Sequence, residues 1–71
     1  MMDSKVWFKI EELIPAERSI SKEAFWYQLN LDGQPFRTMS LTAIEVVTRK
    51  LLDEGRKVRA VRVTEEVVDV P

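Results

Sequence analysis

The sequence contains no cysteine and no histidine, and these absences limit both its chemistry and the ways in which its fold can be stabilised. Without cysteine there is no disulfide, and without either residue type the usual ligands of a zinc site are missing. Of its two glycines, Gly33 is needed for a turn and Gly55 for the end of a helix, so no glycine-rich loop remains to hold a phosphate group. We therefore expect no metal and no cofactor.

Long apolar segments are also missing. No run approaches the ~18 apolar residues that a membrane-spanning helix requires. The first residues, MMDSKVWFKIEELI, carry charges on both sides of a short apolar patch, whereas a secretory signal peptide has a basic flank followed by an uninterrupted apolar region. We expect no membrane segment and a cytoplasmic location.

Side chains suited to acid–base catalysis are few. In the absence of histidine and cysteine, this work would fall to carboxylates, lysines or Tyr27. The carboxylates include three pairs of sequence neighbours: Glu11-Glu12, Asp53-Glu54 and Glu65-Glu66. Neighbouring side chains point to opposite faces of a strand and diverge by ~100° on a helix. None of these pairs converges as a two-carboxylate site would, so we predict that the chain is not an enzyme.

The residues that are present suit a small globular domain. The chain has 71 residues, of which 45% are hydrophobic and 32% charged, and its net charge is −1. This balance predicts one folded domain over residues 1–71, with residues 65–71 as a tail that extends the last strand, pairs separately or frays. A core this small, with no disulfide or metal to reinforce it, favours self-association or a permanent partner. We expect a homodimer or a bound protein.

The clearest element is a helix over residues 42–54, within LTAIEVVTRKLLDEG. Thr42 followed by Glu45 has the spacing of a capping box, and Ser40 is a rival N-cap two residues earlier. Gly55 stands where a helix commonly ends in a left-handed residue. The apolar positions recur at the spacing that places them on one side of a helix: Ile44, Val47 and Leu51.

A β-hairpin is predicted just before the helix, in FWYQLNLDGQPFRTM. Large apolar side chains alternate with others in its first part, as in a strand with one buried face. Asp32-Gly33 is a typical two-residue hairpin turn because both positions accept positive φ. This turn would set Leu29 opposite Phe36 and Tyr27 opposite Thr38.

Two further strands complete the predicted architecture. KVWFKI at residues 5–10 alternates apolar and other side chains, and KVRAVRV at residues 57–63 is rich in valine. Residues 11–22, EELIPAERSISK, contain a proline and two serines and predict a connection. The order strand, β-hairpin, helix, strand predicts an α+β fold, a small single-layer sheet of three to four strands with one helix packed on one face.

A rival arrangement assigns the same residues differently. If KIEELI and SKEAFWYQLN were helices, the helix over residues 42–54 would be a recognition helix. Residues 56–70 would then form a two-stranded wing, giving a DNA-binding winged helix-turn-helix. The alternation before Asp32-Gly33, and the turn itself, favour the sheet.

The predicted sheet makes its tryptophans candidate interface residues. If the alternate residues of each strand face the helix, Trp7 and Trp26 face away from it, with Met39 across the hairpin and Arg37 nearby. Tryptophan, methionine and arginine are enriched at protein interfaces. Either the connection at residues 11–22 covers this face, or the face binds a protein. We predict the second, a non-catalytic protein-interaction or self-associating module.

The alternative function is nucleic-acid binding. GRKVRAVRV carries four cations, Arg56, Lys57, Arg59 and Arg62, and such a cluster can follow a phosphate backbone. On a regular strand, however, Arg56 and Arg62 share one face while Lys57 and Arg59 share the other. Acidic residues follow at once, and the pI is about 5.4. The favoured interpretation is a solvated strand whose charges discourage edge-to-edge pairing.

Overall fold

The computed structural model describes residues 2–68, with side chains described over residues 5–66. It is a small α+β fold in which one helix packs on a four-stranded antiparallel sheet. The elements in chain order are β1 (Met2–Ile14), a 3-10 turn (Ala16–Arg18), β2 (Phe25–Gln28), β3 (Asn30–Leu31), β4 (Gln34–Pro35), β5 (Arg37–Thr38), α1 (Leu41–Asp53) and β6 (Val58–Val68). The predicted fold class is confirmed. The winged helix-turn-helix is wrong, because its two proposed N-terminal helices lie largely in β1 and β2.

Strand β1 is the centre of the sheet. On one side it pairs antiparallel with β6, from Met2 opposite Val68 to Glu12 opposite Val58. On the other side it pairs with β2 near its C-terminal end and with β5 near its middle. The strand is longer than predicted and includes residues 11–14, which the sequence assigned to a connection. Every other strand of this sheet is therefore positioned by β1.

The predicted hairpin turn is confirmed. Asp32 and Gly33 have φ values of 54° and 78°, and they join β3 and β4, in which Leu31 lies opposite Gln34. These positive values are the ones that a type I′ turn requires. The Phe36 amide donates to the Leu29 carbonyl at 2.9 Å, as the predicted register requires.

The two arms of the hairpin stay paired from the turn as far as Leu29 and Phe36 and then separate. The predicted pairing of Tyr27 with Thr38 is therefore wrong. Tyr27 lies opposite Glu12, and Thr38 lies opposite Phe8. Both arms instead lie one after the other along the same edge of β1, with residues 30–36 turned away from it. The physical reason is that β1 offers both arms backbone hydrogen bonds next to the core, as when the Leu29 amide donates to Ile10 at 2.8 Å.

Helix α1 has a defined cap at each end. Ser40 is its N-cap, and the Ser40 hydroxyl accepts a hydrogen bond from the Ala43 amide at 3.1 Å. Thr42, the other candidate cap, lies inside the first turn. At the C-terminal end Gly55 has a φ of 84°, and the amide groups of Gly55 and Arg56 donate to carbonyls of the last turn. This is the arrangement of a Schellman motif.

The core lies between α1 and one face of the sheet. Ile10 and Ile44 are its most buried side chains, at 0% and 1% exposure. The other core residues are Leu29, Leu51 and Val58, with Phe8, Phe36 and Val47 packed against them. Because Ile10 is opposed to Ala60 and Glu12 to Val58, even-numbered side chains of β1 and β6 face the helix and odd-numbered ones face away.

The tail of the chain extends the last strand. β6 continues past the predicted end at residue 63 to Val68, and residues 64–68 pair with the beginning of β1. Residues 69–71, which the sequence also placed in the tail, lie outside the described residues. Within the described part of the chain, no helix combines the length and apolar character needed to cross a membrane.

Candidate functional site

The sheet surface that faces away from α1 is the candidate functional site, and we call it the open face. Over residues 2–68, neither the helix nor another strand packs on it. The pairing register places the following side chains there: Trp7, Lys9, Glu11 and Leu13 from β1, Trp26, Gln28 and Arg37 from β2 and β5, and Arg59, Val61 and Val63 from β6. The open face therefore combines tryptophans, arginines and apolar residues.

One end of the open face is a stack of Arg37 on Trp7. The Arg37 guanidinium carbon lies 4.1 Å from the centroid of the Trp7 ring. Met39 lies beside this pair, 75% exposed, and together they line a groove of about 330 Å³. The structure thus brings Trp7, Arg37 and Met39 together, although Met39 lies after β5 and not across a hairpin. The Trp7 indole N–H is shielded and has no acceptor among the described residues.

The other end of the open face is a stack of Arg59 on Trp26. The Arg59 guanidinium carbon lies 4.0 Å from the centroid of the Trp26 ring. The same guanidinium donates to Glu11 at 2.8 Å, while the Lys9 ammonium lies 3.4 Å from the other Glu11 oxygen. The Arg59 side chain therefore extends from β6 across β1 to reach Trp26 on β2, and Glu11 fixes the position of its guanidinium group.

The network around Glu11 holds that carboxylate in its charged form. The hydrogen bond from Arg59 lowers the pKa of Glu11 below its ordinary value, and Lys9 acts in the same direction, while partial burial opposes them. A carboxylate with a lowered pKa is a weaker base. The chemistry that this arrangement supports is charge pairing and stacking.

Arg56 belongs to a separate ion pair outside the open face. Its guanidinium donates to both oxygens of Glu12, at 2.9 and 2.6 Å. This bidentate contact lowers the pKa of Glu12 and raises that of Arg56. It connects the end of β1 to the segment just before β6, next to the hydrogen bond that the Leu13 amide donates to the Lys57 carbonyl at 2.9 Å. Arg56 thus fastens the two longest strands together.

The predicted basic cluster is not gathered into one patch. Arg59 is on the open face, opposite Glu11, whereas Arg62 is on the helix face, opposite Phe8. Arg56 is engaged with Glu12, and Lys57 is exposed just before β6. The regular β1–β6 register contains no bulge between Arg59 and Arg62 that would turn them to one side.

Sequence reasoning missed the charged centre of the open face. Lys9 and Glu11 were not predicted as site residues. Arg59 was predicted only as part of the alternative nucleic-acid surface, whereas Trp26 was predicted as part of the protein-interaction face. A signal was present in the alternation of β1, because continuing it past residue 10 places Lys9 and Glu11 on the same face as Trp7. The pairing of Glu11 with Arg59 required the register between strands nearly fifty residues apart, which the sequence pattern alone does not fix.

An aromatic pair on the opposite face was only partly anticipated. Phe25 and Tyr27 point to the helix side, as predicted, but α1 does not reach them and they remain 42% and 53% exposed. Their rings pack edge to face at a centroid distance of 6.5 Å. They lie on the same strand as Trp26 and point the other way, which makes them useful controls for the open face.

Neither a metal-binding group nor a relative adds to this site. Among the side chains of residues 5–66, no three acidic groups are close enough together to hold a metal ion. Comparison with protein-family models, curated proteins and solved structures finds no match to this chain. The geometry of the open face is therefore the best indication of what the protein does.

Proposed function

We propose that this chain is a non-catalytic interaction module that binds a protein partner through its open face. One observation carries the proposal. Trp7 and Trp26 each lie under an arginine on a sheet surface that no other described element covers. Tryptophan and arginine are the residue types most enriched in the energetic centres of protein interfaces. We also propose a cytoplasmic location.

The stacking supports the proposal because it prepares the surface for binding. A free arginine side chain loses up to about 2 kcal/mol of rotamer entropy when it is fixed in an interface. Arg59 is already held by Glu11 and Trp26, and Arg37 by Trp7. A partner would therefore meet side chains that are ordered in advance, which reduces the entropic cost of association.

The charges of the open face indicate the chemistry of the partner. Arg37 has no carboxylate partner among the described residues, and the cations Lys9 and Arg59 share the single carboxylate of Glu11. Lys5 and Glu65 also lie on this face, opposite each other at its end near Arg37. The described side chains of the face therefore include four cations and two carboxylates, an excess of positive charge. We propose a partner surface that supplies a carboxylate to Arg37 and an apolar side chain to the groove beside Met39.

A photo-crosslinking experiment tests this proposal. A crosslinking amino acid at Gln28 on the open face should capture one discrete protein, whereas the same group at Lys50 on the exposed side of α1 should not. Trp26→Ala should remove the adduct, and Tyr27→Ala, its neighbour on the opposite face, should not. With the captured protein purified, Trp26→Ala should weaken binding by about tenfold or more. Equal capture from both positions, or equal effects of the two alanine variants, would contradict the proposal.

Single-stranded nucleic acid is a second candidate ligand for the same face. The observation in its favour is that both tryptophans lie on one sheet surface beside Lys9, Arg37 and Arg59, and such surfaces bind bases by stacking and phosphates by charge. It ranks second because the two guanidinium groups cover the rings and Glu11 neutralises part of the charge.

A further inference from the structure

The outer edge of β6 is a long surface of backbone hydrogen-bonding groups. Among the described residues, β6 pairs only with β1, so its other edge has no strand beside it from Val58 to Val68. We infer that this edge pairs with the same edge of a second copy of the chain, antiparallel, about a two-fold axis at Thr64. The inference concerns a different surface from the open face and does not depend on the function proposed for it.

Symmetry restricts the registers that such a pairing can adopt. Two antiparallel edge strands in one continuous sheet are related by a two-fold axis perpendicular to the sheet, so each side chain stays on its own face. Since alternate residues of β6 occupy alternate faces, an even-numbered residue can lie opposite only an even-numbered residue of the second copy. The axis must therefore pass through a residue position.

The charges on the helix face of β6 select one of these registers. Arg62 lies opposite Phe8 of β1, and Glu66 lies opposite Ser4, so neither has an opposite charge directly across the sheet. With the axis at Thr64, Arg62 lies opposite Glu66 of the second copy, and symmetry makes this contact twice. The two unmatched charges of the strand thus become partners, with threonine facing threonine at the centre, a favourable cross-strand pair.

Neighbouring registers are worse on the same criterion. An axis at Arg62 would place the two copies of that arginine opposite each other. The same axis would set Arg59 opposite Glu65, but these two residues already lie opposite Glu11 and Lys5 of β1. An axis at Glu65 would place the two copies of that glutamate opposite each other. An axis at Val63 would leave Arg62 opposite Thr64 and would form no opposite-charge pair. Like charges directly opposite each other destabilise a sheet, so the charge pattern favours the register centred on Thr64.

The charges of β6 therefore do more than discourage pairing. A strand that carried only cations would repel every copy of itself. Here the basic residues Arg59 and Arg62 are near one end and the acidic residues Glu65 and Glu66 are near the other. A parallel neighbour in register would face like charges along its length, while an antiparallel neighbour finds complementary ones. The pattern selects one orientation.

The groove next to this edge is open to a neighbour. Between α1 and β6 a groove of about 290 Å³ is lined by residues that include Thr48, Leu52 and Ala60. Leu52 is 51% exposed, and the Thr48 hydroxyl is shielded without a hydrogen-bond partner among the described residues. A strand added beside β6 would lie along the rim of this groove and cover part of its apolar lining.

A charge-swap series measured by sedimentation equilibrium tests the inference on the full chain. Arg62→Glu or Glu66→Arg alone converts both opposite-charge contacts of the dimer into like-charge contacts, so each should raise the dimer dissociation constant by about tenfold or more. The double variant R62E/E66R restores opposite charges with their positions exchanged and should return to within about threefold of wild type. Circular dichroism on each variant establishes that it is folded.

Three results would overturn the inference. The first is a wild-type protein that stays monomeric up to about 0.3 mM. The second is single variants that dimerise as wild type does, and the third is a double variant no better than the single ones. Trp26→Ala, on the open face, should leave the dissociation constant within about twofold of wild type. A dimer that depends on Trp26 and not on Arg62 would place self-association on the open face instead.

Discussion

At the scale of single residues, two of the arginines in GRKVRAVRV act within the fold. Arg56 contacts both oxygens of Glu12, and Arg59 contacts Glu11 while lying on Trp26. The Glu11–Arg59 pair joins β1 to β6, and the Glu12–Arg56 pair joins β1 to the segment between α1 and β6. Both pairs lie at the end of the sheet where α1 ends. Because both carboxylates accept hydrogen bonds from arginines, their charged forms are stabilised relative to the unfolded chain, although partial burial acts in the opposite direction.

This predicts a specific loss of stability in acid. The unfolded Glu12 carboxyl titrates near the ordinary value of 4.5, and in the folded protein the pKa is lower because of Arg56. The contribution of Glu12 to the free energy of unfolding is thus complete above about pH 4.5 and is lost as the pH falls through the folded-state pKa. Glu12→Gln should lower stability at pH 7 by about 0.5–1 kcal/mol, a small value because Arg56 is partly exposed to solvent.

Urea denaturation at several pH values measures this effect. Wild type and Glu12→Gln should converge in stability as the pH falls through the folded-state pKa of Glu12. Arg56→Met should abolish the same part of the pH dependence. If wild type and Glu12→Gln kept the same difference in stability from pH 7 to pH 3, the lowered pKa would be contradicted.

At the scale of elements, the sequence pattern predicts an element correctly where the residues of one segment determine its structure by themselves. The periodicity of residues 42–54 and the glycine at 55 predicted α1 and its end, and Asp32-Gly33 predicted the hairpin turn. The same signals could not choose between Ser40 and Thr42 as the N-cap, because both residues have a side chain that can accept a backbone hydrogen bond. The structure resolves this in favour of Ser40.

The sequence pattern does not predict which strands pair when they are distant in the chain. The alternation of residues 25–29 predicted a strand but not its neighbour, and both arms of the hairpin pair with β1 beyond Leu29. The stack of Arg59 on Trp26 depends on the β1–β6 and β1–β2 registers together. Such registers follow from which apolar faces can share a core, which is a property of the whole fold. The tryptophans were thus predicted, and the arginine that covers Trp26 was not.

The N-cap of α1 provides an element-scale prediction with a matched control. Ser40→Ala removes the acceptor for the Ala43 amide and should lower the free energy of unfolding by about 1 kcal/mol. Thr42→Ala changes a neighbouring hydroxyl residue inside the helix, where alanine has the higher helix propensity, and should be neutral or slightly stabilising. Thermal unfolding of the two variants measures the difference. The reverse ranking would show that Thr42 is the cap.

At the scale of the whole molecule, the charges are dispersed over both faces of the sheet. Arg59 and Arg62 project from opposite faces of β6, and Glu65 and Glu66 follow them along the strand. A phosphate chain running along β6 would pass both cations and both anions. The net charge of −1 offers no general attraction for a polyanion.

We therefore expect no binding of single- or double-stranded oligonucleotides, DNA or RNA, at about 0.05 M salt. Fluorescence anisotropy across a salt series checks this expectation. If the second candidate function were correct, phosphate contacts by the three cations Lys9, Arg37 and Arg59 would give a slope of log affinity against log salt near about −2 for a single strand. Trp26→Ala and Arg37→Glu would then both weaken binding, which would identify the open face as the nucleic-acid surface.

The central position of β1 also has a consequence for how the protein folds. The strand at the beginning of the sequence pairs along nearly its whole length with β6, the last strand described. The chain between β1 and β6 must form a closed loop before these strands can make their stabilising contacts, and this closure costs entropy. Folds dominated by such non-local contacts fold slowly. During translation β1 emerges early with one long edge unmatched until residues 58–68 have been made. Throughout that interval the nascent chain exposes an unpaired strand edge, and such edges favour aggregation until the native sheet is complete.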